Sequence, residues 1–237
     1  MKVAVVGLGQ IGGSMALRMR KLGIDTELYD INEKTAKLLG GKCEKFNAIG
    51  YDLVVLALHI PVILELIENL PRENLYLDTA SVKEQVVNKA KERGLHFVGG
   101  HPIAGNEKIG PESWDKNLFE GRKFVLVDVH STKEERGKIE KFVEMLGSEP
   151  LWTTVEEHDR ALAYTSHAPY FVSLAIKRIG EKFEEYAGPG YSSMTRLAKQ
   201  DPKLGEVFKL YNAHNTASAL RTVANEILKI ANEVERW

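Results

Sequence analysis

Four groups of residues have types and spacing that could do chemistry. The first is the glycine-rich run Val3-Ala4-Val5-Val6-Gly7-Leu8-Gly9-Gln10-Ile11-Gly12. The others are the clusters Asp78-Thr79-Ala80-Ser81-Val82-Lys83, Gly99-Gly100-His101-Pro102-Ile103-Ala104-Gly105-Asn106-Glu107 and Thr165-Ser166-His167-Ala168-Pro169. Thr195-Arg196-Leu197-Ala198 adds a cation after a Gly-Pro-Gly stretch. A hydroxyl, a carboxylate, two imidazoles and a guanidinium make a set suited to proton transfer and to holding an anionic small molecule. The spacings do not form a metal-ligating pattern, so no metal is expected.

The glycine-rich run is the most specific of these signals. An apolar strand leads into G-x-G-x-x-G, and a helical pattern follows. Gly7 permits the tight turn, Gly9 lets backbone approach a pyrophosphate, and Gly12 lets helix pack on strand. The helix N-terminus, carrying Gln10 and Ile11, offers free N–H groups to phosphate. Asp30 ends the next candidate strand eighteen residues after Gly12, close to the roughly 20 expected of a ribose-binding acid. That carboxylate favours a ribose 2′-hydroxyl and repels a 2′-phosphate. NAD is therefore expected over NADP, with Lys34 the one nearby cation that could reach a phosphate.

Each remaining candidate also has a purely structural reading. Ser81 could cap a helix starting at Val82, with Glu84 closing a capping box. His101 could be a hydrogen-bonded loop histidine, and His167 a core histidine with its ring satisfied. Arg196 could be a surface ion pair of little energetic value.

The elements that must position these residues follow from periodicity. Candidate strands are Lys2–Val6, Thr26–Tyr29, Leu53–Ala57, Leu75–Leu77, His96–Val98 and Phe124–Val127. Amphipathic stretches such as Ile11–Leu22, Ile60–Leu70 and Val82–Lys91 lie between several of them. Strands alternating with helices predict an α/β, doubly wound, mostly parallel sheet of the Rossmann type. Beyond Leu151 the pattern becomes helical, with the longest candidates at Ala161–Ile179 and Asn212–Glu235. The run Ala187-Gly188-Pro189-Gly190 is expected to stop a helix and form a loop. The expected domains are residues 1–151, binding dinucleotide, and residues 152–237, a small all-α substrate and dimerisation domain. So few helical residues would struggle to build a core alone, which points to a homodimer.

The chain has 237 residues and a formal net charge of −1. Without a basic excess, nucleic acid is not an expected partner. No apolar run reaches the roughly 18 residues of a membrane span, and Met1-Lys2 leads straight into the first strand without the flanks of a signal peptide. Cys43 is the single cysteine, in keeping with a reducing compartment. A cytoplasmic location is expected.

The strings DTASVK, GGHPIAGNEKIGPES, LFEGRKFVL, HDRALAYTSHAPY and TRLAKQDP closely resemble the prephenate/arogenate dehydrogenase family, in that family's order and spacing. The likeness runs from Met1 to at least Pro202. It implies NAD-dependent oxidative decarboxylation of prephenate to 4-hydroxyphenylpyruvate, or of arogenate to tyrosine. It implies His101 as general base, Ser81 as the residue orienting the reacting hydroxyl or the imidazole, and Arg196 and His167 as substrate anchors. Glu107 is a weaker candidate, gating the pocket or pairing with a cation. Ala80, Asn106, Tyr170, Ser193 and His59 depart from the residues common in the family, and the choice between prephenate and arogenate stays open.

Two rivals are weighed against this. A β-hydroxyacid dehydrogenase or imine reductase shares the domain plan, but the β-hydroxyacid type carries lysine on the first long C-terminal helix, where this chain has His167. A non-enzymatic NAD-binding sensor would have no use for His101, Ser81, His167 and Arg196 together.

Overall fold

The computed structural model describes residues 1–106, 108 and 110–237. It divides into two compact units, Met1–Val155 and Glu156–Trp237.

The first unit is built on a seven-stranded sheet. Its strands are β1 (Val3–Val6), β2 (Thr26–Tyr29), β3 (Leu53–Leu56), β4 (Leu75–Asp78), β5 (His96–Pro102), β6 (Lys123–His130) and β7 (Glu149–Thr153), in the order β2-β1-β3-β4-β5-β6-β7. Strands β2 to β5 run parallel, and β6 pairs antiparallel to β5 and parallel to β7. β1 and β3 are apolar and fully buried along their length, as parallel strands covered on both faces must be. An isolated parallel bridge from Tyr29 to Lys42 lies outside β2. Lys42 thus takes the place where an outer strand would otherwise extend the sheet.

The connecting helices wind over both faces. Helices α1 (Gln10–Lys21) and α5 (Lys133–Leu146) cover one. Met15 and Met19 from α1 share a core with Ile139, Phe142, Val143 and Leu146 from α5 and with Val3, Val5, Leu53, Leu77 and Val98 from the sheet. Between them in sequence come α2 (Glu33–Leu38), α3 (Ile60–Ile67) and α4 (Glu84–Arg93). α3 and α4 bury Ile63, Ile67, Val86 and Ala90. Helix α5 starts on a complete capping box: the Thr132 hydroxyl accepts from Glu135 N–H, and the Glu135 carboxylate accepts from Thr132 N–H.

The second unit is helical: α6 (Val155–Leu162), α7 (Ala168–Gly180), α8 (Pro189–Met194), α9 (Pro202–Tyr211) and α10 (Ala213–Val234). Its small buried core includes Ala163, Ala168 and Ala219, with Leu220 and Val223 packed against it.

Four expectations need correction. β7 was not anticipated, because Glu149-Pro150-Leu151-Trp152-Thr153 lacks an apolar run. With β7 in the sheet, the first unit reaches Val155 and not Leu151. The expected helix Ala161–Ile179 is broken by a π-helical turn over Ala163–His167. The glycine-proline stretch does stop a helical segment, but its loop is short: Gly188 is the N-cap of α8 and Pro189 its first residue, where the missing N–H costs nothing. Ser81 is no helix cap, since α4 begins at Glu84 after Lys83 and that N-cap has no side-chain bond.

The capping box makes a stability prediction. Thr132→Ala should lower unfolding free energy by about 1 kcal/mol, read as a shifted urea midpoint with an unchanged slope. An unmoved midpoint would show that the box contributes nothing.

Candidate active site

The glycine turn leaves β1 at Gly7, whose φ of +92° only glycine adopts without strain, and a Cβ there would lie 2.3 Å from Ala57 O. A Cβ at Gly12 would lie 1.9 Å from Gly7 O, so the helix can approach the turn only without a side chain. At Gly9 a Cβ would meet nothing within 4 Å. This open position, at the N-cap of α1, is where a phosphate can reach unpaired N–H groups.

Asp30 does two jobs at once. Its carboxylate accepts from Leu8 N–H at 2.7 Å and from Asn32 N–H at 2.7 Å, which fixes the glycine turn relative to the end of β2. A carboxylate oxygen has more than one acceptor site, so capacity remains for a ribose hydroxyl.

Two further contacts lock the turn, and sequence reading identified neither. Trp114 Nε1 donates to Leu8 O and Gly9 O at 3.0 and 3.1 Å. Its indole lies where a Cβ at Gly13 would sit, 2.0 Å from that position. The doublet Gly12-Gly13 was the available signal. The Gln10 side chain is committed to Asn106: its Nε2 donates to Asn106 Oδ1 at 2.8 Å, and its Oε1 accepts from Asn106 N–H at 3.2 Å. Asn106 Nδ2 in turn donates to Ser113 O at 3.0 Å. The asparagine that departs from the family's usual residue is thus a tether between the turn and the loop after β5.

Ser81 and His101 come from neighbouring strands. β4 and β5 are parallel, with Leu77 opposite Val98. Ser81 follows the end of β4, and His101 is the penultimate residue of β5, half-buried and opposite Val125 of β6. Between them lies a fully buried ion pair. Lys83 Nζ is 2.5 Å from Asp78 Oδ2, and both side chains have zero exposure. Lys83 also donates to Gly100 O at 2.6 Å, and Asp78 Oδ1 accepts from Gly100 N–H at 3.0 Å. Asp78 and Lys83 were visible in the sequence only as members of a polar cluster. Glu107 lies outside the described residues.

In the second unit, His167 closes the π-helical turn and is buried. Such turns occur often at functional positions. Its ring stacks on Phe208, with centroids 3.8 Å apart. Asn212 Nδ2 donates to Asp159 O at 2.7 Å and lies 3.3 Å from His167 Nδ1. Thr216 Oγ1 lies 3.1 Å from the same nitrogen. With an amide donor facing it, Nδ1 is the acceptor and Nε2 carries the proton. Nε2 is buried and has no hydrogen-bond partner among the described residues. Burial is the main cause that lowers the ring's pKa to about 4; the Asp159 charge opposes the shift and the His158 charge adds to it. His167 is therefore neutral at pH 7, a hydrogen-bond donor and not a cation.

Tyr170, another departure, is buried against Phe208 and Phe171. Arg196 is exposed in the turn after α8. Ala198 N–H donates to Ser173 Oγ at 3.0 Å, which ties that turn to α7. Ser193 is exposed on α8.

Comparison with known proteins decides the family. Residues 15–149 match the prephenate dehydrogenase nucleotide-binding domain, and residues 154–237 match the prephenate dehydrogenase dimerization domain. The chain belongs to the prephenate dehydrogenase family. Within it, the chain is similar to the A. aeolicus prephenate dehydrogenase crystallised with hydroxyphenyl propionate and NAD+, at 28% identity and a TM-score of 0.90, covering 100% of this chain and 91% of that one. Synechocystis arogenate dehydrogenase is similar at 25% identity and a TM-score of 0.82, covering 100% and 92%. Prephenate dehydrogenase of Lactococcus lactis is 26% identical over 259 residues, covering 99% of this chain and 72% of the relative. The rival dehydrogenases of the same domain plan and the sensor reading are not favoured.

His167 makes the pH prediction. Between about 6.5 and about 4 the unfolded chain's imidazole takes up a proton that the folded ring refuses. Stability is thus complete above this window, falls as pH drops through it, and levels off below. His167→Gln should flatten that limb in denaturant midpoints taken at several pH values. The same pH dependence in both proteins would remove His167 from the account.

Proposed function

We propose that this chain oxidises prephenate or arogenate with NAD, with loss of the ring carboxylate as carbon dioxide, in tyrosine biosynthesis. The observation that carries this is the match of both halves of the chain to the two domains of the prephenate dehydrogenase family. Residues 1–151 are assigned to the dinucleotide and residues 152–237 to substrate and dimerisation.

When bound, NAD accepts the hydride that leaves the ring carbon bearing the 4-hydroxyl. Gly7, Gly9, Gly12 and the N-terminal N–H groups of Gln10 and Ile11 would hold its pyrophosphate, and Asp30 its ribose. Positive character at the ring carbon makes the hydroxyl acidic, and His101 takes that proton. A neutral imidazole suits this at neutral pH. Ser81 orients the hydroxyl or the ring. Loss of carbon dioxide then completes an aromatic ring, so the protein's remaining work is orientation. Arg196 offers a two-pronged cation for a carboxylate. His167 supplies an uncharged N–H donor. Glu107 is assigned a gating or cation-pairing role.

The chain works as a homodimer through its dimerization domain. Ile227, Leu228, Ile230 and Val234 of α10 are exposed in the single chain, an apolar stripe of the kind a partner covers. The cytoplasm is the proposed location. Among the described residues no helix is long and apolar enough to cross a membrane.

The direct test follows reduced-cofactor absorbance with prephenate and then arogenate. His101→Asn should lower kcat by at least ~10²-fold while KM for both substrates moves only a few-fold. A folded variant with near-normal kcat would move the base elsewhere. NAD should give a higher kcat/KM than NADP, and Asp30→Ala should narrow the gap. Equal use of both cofactors by the unaltered protein would sink the role of Asp30.

A further inference from the structure

We infer that Asp78 and Lys83 are positioning residues for His101: their buried ion pair grips the Gly100 peptide group and so sets where the imidazole stands. The inference rests on the assignment of His101 as base.

The backbone ladder between β4 and β5 runs from Leu75 opposite His96 to Leu77 opposite Val98. β5 continues four residues further, to Pro102. Along that extension the partner on the β4 side is no longer a strand. Asp78 Oδ1 accepts from Gly100 N–H, and Lys83 Nζ donates to Gly100 O. Both polar groups of the residue before His101 are therefore held by charged side chains. Asp78 Oδ2 also accepts from Ala80 N–H at 2.8 Å, so the same carboxylate shapes the turn that carries Ser81. One ion pair thus sets both elements of the proposed proton-transfer site.

The fit around Gly100 leaves no slack. A Cβ there would lie 2.4 Å from Asp78 O and 2.8 Å from Leu77 Cδ1. Close approach of β5 to Asp78 is possible only with glycine before the histidine.

Stability alone is a weak reason for such a pair. Removing two charges from water costs about as much as their attraction returns, and an apolar pair of similar volume often serves as well. What an apolar pair cannot do is hydrogen-bond Gly100 on both sides. Neither Asp78 nor Lys83 is assigned contact with substrate; they act through His101.

The test is a coupling measurement on the full-length dimer, with kcat and KM for prephenate and NAD. The pair is replaced together, Asp78→Asn with Lys83→Met, so that no lone charge stays buried. In the otherwise unaltered enzyme this should lower kcat by at least about tenfold, with KM for NAD within a few-fold. In a His101→Asn background the same replacement should cost less than about twofold, because placing an absent base brings no benefit. A merely structural role would lower kcat by the same factor in both backgrounds, and that result would overturn the inference while leaving the base assignment intact. If His101→Asn itself kept full activity, the base assignment would fall and the inference with it. Should circular dichroism show the double replacement unfolded, Lys83→Arg and Asp78→Glu keep the charges and displace the grip, and the same loss confined to the His101 background decides the matter.

Discussion

The Asp78–Lys83 ion pair is the constraint around which the first unit's site is arranged. It sits at the end of β4 with both side chains fully buried. An unpaired charge there would cost several kcal/mol, so the two residues are obliged to stay together, and their spare hydrogen-bonding capacity has to be used. Ala80 N–H and the two polar groups of Gly100 use it. The turn bearing Ser81 and the strand bearing His101 are fixed by the same requirement. Function and burial are linked through hydrogen-bond satisfaction, not through a separate scaffold.

A second constraint acts at the glycine turn. Its backbone must stay open to receive phosphate, so it cannot be stiffened by side chains of its own. Stiffness comes from outside: the Asp30 carboxylate on Leu8 N–H, the Trp114 indole on Leu8 and Gly9 carbonyls, and Gln10 on Asn106. The Gln10–Asn106 pair also joins the turn to the loop that follows His101 in sequence. Both partners belong to the first unit, so this coupling exists within a single fold.

The helical unit solves a different problem. It places a histidine in a dry environment and must keep it neutral and oriented. The stacked Phe208 ring excludes water on one side, and Asn212 and Thr216 face Nδ1. The π-helical turn inserts one residue of extra rotation before α7, and this changes which face of the helix His167 occupies. Tyr170 supports the arrangement from below by packing edge-on against the same phenylalanine.

Much of this was legible in the sequence because it depends on local or periodic signals. The six strands named from apolar runs all exist, several to within a residue, since parallel strands buried on both faces must be apolar. The G-x-G-x-x-G turn and Asp30 were readable because only glycine satisfies φ and close-approach demands there. The family itself was readable from ordered motifs. The sequence did not disclose β7, whose Glu149-Pro150-Leu151-Trp152-Thr153 is held by pairing to β6 and not by its own pattern. Nor did it disclose the π turn, which keeps helical periodicity while shifting register. Asp78 and Lys83 looked like exposed turn residues, because a buried charge is recognisable only when its partner and the carbonyl it serves are known. Residue types and spacing thus determined the fold class and the chemistry on offer. The tertiary structure decided which polar groups meet, because burial and hydrogen-bond pairing depend on contacts between segments far apart in the chain.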